Sequence, residues 1–188
     1  MKITTIRHGE TDWNVAKRLQ GSVDIELNQV GLDQAHKLAK RLSGEPCDII
    51  YSSDLLRAKK TAEIINTCHN VPLITSQSLR ESGFGEFEGQ SIADPKVYAA
   101  FGKFMEEHVH VLFNRVHEYI DEILKNDHEN IFIVSHYGAI VAILCRLMNV
   151  PPEERLIFTI GNTAIHTLER TDNGEFRMFV ENDTSHLD

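Results

Sequence analysis

The chain has only three cysteines, Cys47, Cys68 and Cys145, odd in number, widely spaced and without a Cys-x-x-Cys pair. That excludes a disulfide framework and fits reduced thiols. No apolar run approaches the length of a membrane span. The first residues read as structure at once rather than as a leader, so the expectation is a cytoplasmic protein with no membrane partner. Basic residues are also few: 19 Lys and Arg against 28 Asp and Glu leave a formal charge of −9. A non-specific nucleic-acid binder needs a broad basic face, which this composition denies. An anionic substrate must therefore be drawn into a local positive pocket against the overall field. Internal repeats, low-complexity tracts and linkers are absent. What remains is 188 residues, 41% hydrophobic and 25% charged, which suits one globular domain with a full core.

Within that domain the hydrophobic period alternates between two and about four. Lys2–Ile6 reads as a short strand. Leu32, Ala35, Leu38, Ala39 and Leu42 recur at helical spacing, closed by Ser43-Gly44. Asp48–Tyr51 reads as a strand, and Ser53 or Asp54 as the cap of a helix running to Ile65. Val71–Ile74 is another strand, and the Gly- and Glu-rich stretch Glu81–Gly89 then breaks regular structure. Two helical segments follow, about Pro95–Met105 and Glu107–Lys125, then a buried strand at Ile131–Val134 and a helix at Ala139–Met148. Thr163–Leu168 and Phe176–Val180 read as a hairpin around Asp172-Asn173-Gly174. The alternation predicts a single-domain three-layer α/β/α sandwich, its sheet mainly parallel with at least one antiparallel strand.

Sites in such folds lie beyond the carboxyl ends of the strands, and polar clusters stand at those places. Arg7-His8-Gly9-Glu10 follows the first strand, Ser52 to Arg57 the second, Glu81 the third, and Ser135-His136-Tyr137-Gly138 the fourth. Two arginines, two histidines and a carboxylate should therefore converge on one crevice. A guanidinium grips a phosphoryl group through paired hydrogen bonds. An imidazole attacks phosphorus or relays a proton.

Arg7-His8-Gly9-Glu10-Thr11 with Asn14 resembles the N-terminal motif of the histidine phosphatase superfamily, the phosphoglycerate mutase-like proteins. Ser52-Ser53-Asp54-Leu55-Leu56-Arg57-Ala58 with Thr61-Ala62 is similar to its second motif. Leu79-Arg80-Glu81 with Phe84-Gly85 and Glu88-Gly89 resembles its acidic loop, and Ser135-His136-Tyr137-Gly138 its late histidine motif. Within the family, small bacterial phosphatases of the α-ribazole phosphatase-like and broad-specificity types are the most similar. The resemblance implies a metal-independent phosphomonoesterase of the histidine acid phosphatase type, without cofactor, acting on a small phosphorylated metabolite. It implies His8 as nucleophile, Glu81 as acid and then base, and Arg7, Arg57 and His136 as donors to the phosphoryl oxygens. Asn14, Gln20, Gly21 and Tyr137 are implied substrate contacts. It also admits a homodimer.

Several readings stay open from the residues alone. Glu86 and Glu88 lie on the same loop as Glu81 and could serve as the acid. His108, His110 and His117 invite a metal site, but His108 and His110 are two apart and point away from one another on a helix. A solvated helix face accounts for them better. The short interval between Glu81 and His136 favours a hydrolase over a phosphoglycerate mutase, whose extra segments shield the phosphorylated intermediate. A non-catalytic phospho-ligand binder is the reading from another class. Phe101–His110 lacks the Gly-Glu-Ser element of many small phosphatases in the family. Specificity is expected in a helical lid at about 90–110, where Lys96, Tyr98, Lys103 and apolar groups in Ala93–Met105 suit a modest organic phosphate.

Overall fold

A computed structural model describes residues 1–188. Six strands form one sheet: β1 (Lys2–Arg7), β2 (Ile49–Ser53), β3 (Leu73–Ser76), β4 (Asn130–Ser135), β5 (Ile165–Arg170) and β6 (Phe176–Asp183), in the order β3-β2-β4-β1-β5-β6. The first four are parallel to one another, while β5 runs antiparallel to β1 and to β6. The expected mainly parallel sheet with an antiparallel end is what forms. No helix is long and apolar enough to cross a membrane.

The helices are α1 (Asp12–Val15), α2 (Gln29–Leu42), α3 (Leu56–Asn66), α4 (Pro95–Ile123) and α5 (Tyr137–Met148). Period-two alternation along the strands sends neighbouring side chains to opposite faces. Ile131 and Ile133 of β4 join Val116, Ile120, Ile140 and Ile143 of α4 and α5. Phe132 and Val134 join Leu38 and Leu42 of α2 and Ala58, Ala62 and Ile65 of α3. Each layer of helices thus covers one face of the sheet, and β4 is buried on both.

Two local expectations give way. Neither Ser53 nor Asp54 caps α3; its first residue is preceded by Leu55, which offers no side-chain cap. The Leu56 amide instead donates to Asp24 Oδ1 at 2.7 Å. Asp54 is drawn off by Arg80, whose Nε and Nη2 both donate to it at 2.7 Å. The two helical segments around residue 106 are one helix of 29 residues, since no proline or glycine pair breaks it there. Asp94 caps it by accepting from the Lys96 amide, and Pro95 occupies its first turn.

Candidate active site

The parallel strands β1, β2 and β4 end together at Arg7, Ser53 and Ser135. Beyond them opens a cavity of about 900 Å³. Arg7, His8, Asn14, Gln20, Gly21, Arg57, Glu81, His136 and Tyr137 all line it.

His8 is 3% exposed, and its Nδ1 lies 2.7 Å from the Gly9 carbonyl. A carbonyl only accepts, so Nδ1 holds the ring proton and Nε2 keeps its lone pair. Burial pushes His8 well below the usual imidazole range, and the charges of Arg57 and Arg7 push it further in the same direction. The ring is therefore neutral at neutral pH and able to act as a nucleophile. Its backbone is pinned from three sides. The Thr163 amide and Asn162 Nδ2 donate to its carbonyl, and its own amide donates to Ser135.

Arg57 is 1% exposed, with Nη1 donating to the Val23 carbonyl at 2.8 Å and Nη2 to that of Gly21 at 2.9 Å. Burial pushes its guanidinium down to about 10, which leaves it charged at neutral pH. Arg7 donates through Nη1 to the Ile160 carbonyl at 2.7 Å. None of the six ion pairs in the chain includes either arginine. A desolvated cation without a carboxylate partner is costly, so the two together make a strong anion site.

His136 completes that site. Its Nε2 lies 2.8 Å from Ser53 Oγ, which also accepts the Leu55 amide at 3.3 Å. Donation of the Ser53 hydroxyl proton to Nε2 satisfies both Ser53 Oγ and Nε2 and assigns the proton of His136 to Nδ1. The His8 and His136 rings stand 5.2 Å apart between centroids. Eight buried side-chain polar atoms in the chain have no partner, and four of them are Arg7 Nε, Arg57 Nε, His136 Nδ1 and Gln20 Oε1. Because buried polar atoms are ordinarily satisfied, this concentration marks where a polar ligand binds.

The acidic loop meets the same crevice. Glu81 Oε2 accepts the Gly138 amide at 2.8 Å, and Oε1 accepts the Ser82 amide at 2.9 Å. A Cβ on Gly138 would stand 2.5 Å from Glu81 Oε1, so only glycine permits this approach. Arg115 of α4 clamps the loop by donating to the carbonyls of Gln77, Arg80 and Glu81. The other two carboxylates of the loop do not line the cavity. Glu88 braces the loop, its Oε1 accepting from the Ser22 amide, the Ser22 hydroxyl and the Phe84 amide. Glu86 is exposed. Gly21, at φ +52°, takes the left-handed turn that brings its carbonyl to Arg57.

The model of the histidine phosphatase superfamily (branch 1) matches residues 3–184. The chain belongs to the histidine phosphatase superfamily. The Arabidopsis thaliana protein named metal-independent phosphoserine phosphatase is 32% identical, over 99% of this histidine phosphatase and 83% of its own length. A mutant phosphoserine phosphatase from Entamoeba histolytica, solved with phosphoserine, shares 31% identity and superposes with a TM-score of 0.85, covering 99% of this chain and 98% of that one. The α-ribazole phosphatase of Shigella flexneri shares 25% identity and a TM-score of 0.87, covering 98% and 97%.

The structure adds residues that the sequence did not single out for this histidine phosphatase. Asn162 lines the cavity and donates both to the His8 carbonyl at 3.1 Å and to Asn14 Oδ1 at 3.4 Å. Asn14 Oδ1 also accepts from the amide and hydroxyl of Thr11, so the Asn14 amino group is the part left for a ligand. Lys96 and Lys103 do not line the cavity, whereas Tyr98 does. His108 stacks on Phe104, and His117 Nε2 lies 3.0 Å from the Ala142 carbonyl.

Proposed function

We propose that the chain hydrolyses a small organic phosphomonoester through a covalent phosphohistidine on His8. The observation behind this reading is the buried, neutral His8, with Nε2 free, beside the buried Arg57 and half-buried Arg7 guanidiniums, which lack carboxylate partners. His8 Nε2 forms a bond to phosphorus as the bond to the ester oxygen breaks. Glu81 gives that oxygen its proton, and the alcohol leaves. Water then attacks phosphorus, Glu81 takes the water proton, and the N–P bond breaks to release phosphate. Arg7, Arg57, His136 Nδ1 and the Asn14 amino group face the non-bridging oxygens, where charge spreads in the transition state. The two guanidiniums supply the positive charge without a metal, in keeping with the name of the Arabidopsis relative. The phosphatase relatives match along nearly the full chain, which favours hydrolysis over a mutase cycle.

Glu81→Gln tests the proton role. The amide keeps the shape but has no proton to give, so hydrolysis of an alkyl phosphate should slow about 10²–10⁴-fold. Cleavage of nitrophenyl phosphate should slow far less, because nitrophenolate leaves without protonation. Equal slowing of both substrates would give Glu81 a positioning role only.

A further inference from the structure

The phosphate cradle occupies one part of the cavity, and one wall of the remainder is apolar. Helix α4 supplies Tyr98, Phe101, Met105, Val109 and Leu112 to the wall, spaced three and four apart and therefore on one face. Past Leu112 the same stripe runs into the core as Val116, Ile120 and Ile123. The two halves of the helix differ sharply. No residue from Pro95 to Val111 is buried, while Leu112, Val116, Ile120 and Ile123 are 0–2% exposed. The upper stripe is thus a continuation of a core face that meets a cavity where the lower stripe meets the sheet. Trp13 stands in the same wall.

The upper half of α4 is held by other contacts than packing on the sheet. Phe101 meets Phe84 edge-on at 4.8 Å and Phe87 at 5.7 Å, and Phe104 meets Phe87 at 5.4 Å. These rings fasten the acidic loop to the helix, so the apolar wall and Glu81 are parts of one unit. Polar groups in the outer cavity are unevenly charged. Beyond Glu81 the only carboxylate in the wall is Glu106, against Lys17, Arg18 and Arg155. Glu106 is the one group there to meet the ammonium of a phosphorylated amino acid, and the cations would suit its carboxylate, so discrimination against it rests on the apolar stripe. At about 900 Å³ the space lies at the upper end of the ~300–1,000 Å³ range of ligand sites.

We propose that the preferred substrate is a phosphomonoester of an alcohol with an extended apolar body, which lies along the Tyr98–Leu112 stripe while its phosphate meets His8. This rests on the phosphatase reading above and narrows it, away from phosphoserine and toward apolar organic phosphates. The stripe is continuous with the reaction centre through one cavity, so the occupant that covers it is the leaving alcohol itself.

Ethyl phosphate, 2-phenylethyl phosphate and phosphoserine separate the outcomes. The first two release primary alcohols, so their chemistry is closely matched and the phenyl group reports on the cavity. The specificity constant kcat/KM should be roughly 10- to 100-fold higher for 2-phenylethyl phosphate than for ethyl phosphate, the scale of burying one aromatic side chain. Phosphoserine should fall below 2-phenylethyl phosphate. Met105→Glu places a carboxylate in the stripe at a half-buried position and should bring the ratio close to one. Met105→Leu, of similar volume and still apolar, should keep it. Hydrolysis of ethyl phosphate with no gain from the phenyl group, or a ratio untouched in Met105→Glu, would overturn the apolar assignment and leave the phosphatase reading standing. No hydrolysis of any of the three esters would overturn both.

Discussion

His8→Ala is expected to abolish turnover, with kcat falling on the order of 10⁶-fold, the scale seen when a covalent nucleophile is removed. No neighbouring group can take its place. His136 is turned to Ser53 through Nε2, and its Nδ1 is assigned a proton, so it has no lone pair to offer phosphorus. The fold should survive. The His8 side chain makes one hydrogen bond, to the carbonyl of the next residue, and its loss costs about 1 kcal/mol, or about 2–4 °C in a chain of this size. Kinetics and thermal unfolding of the same preparation check both halves. Substantial residual turnover in a well-folded variant would show that His8 is not the nucleophile.

Arg57→Ala should lose about 3–4 kcal/mol of transition-state stabilisation, a fall in kcat of about 10²–10³-fold. The guanidinium does two jobs at once. Two of its nitrogens hold the carbonyls of Gly21 and Val23, and in the proposed mechanism its buried charge meets the phosphoryl oxygens. The alanine variant therefore also frees the loop that contains Gln20, and KM should rise along with the fall in kcat. Arg57→Lys should recover only part of the loss. A compact ammonium cannot hold two carbonyls in a fork and still present a planar edge to phosphate. Near-normal kinetics for the lysine variant would mean that Arg57 serves the loop and not the substrate.

How far each of these residues could be foreseen depended on sheet direction. Arg7, Arg57, Glu81 and His136 follow parallel strands, and the carboxyl-end rule for such sheets places them at one edge. Asn162 stands at the opposite kind of position, just before β5. That strand is antiparallel to β1, so its beginning, rather than its end, lies at the catalytic edge. A reading that looks only past strand ends passes over it. Arg115 was illegible for a related reason: it sits in mid-helix, with the sequence signature of a solvated residue, and only the tertiary fold brings it to the Glu81 loop.

The helix layers were legible where burial and period coincide, as in α2 with Ala35, Leu38, Ala39 and Leu42. Residues 95–123 were harder. One apolar stripe at three- and four-residue spacing runs its length, but the polar Glu106-Glu107-His108 falls where the two expected segments meet, and one helix read as two. The cap of α3 failed for a physical reason of its own. Both candidate capping side chains are engaged elsewhere, Ser53 by His136 and Asp54 by Arg80. Functional geometry displaced the local preference that the sequence displays.

The most direct test of a histidine nucleophile is rapid quenching of the enzyme with a phosphorus-labelled monoester, followed by localisation of the label. A phosphoryl group on His8, labile in acid and stable in base, is the expected result, and it should vanish in His8→Ala. A label on a serine or cysteine, or one that persists in His8→Ala, would contradict it.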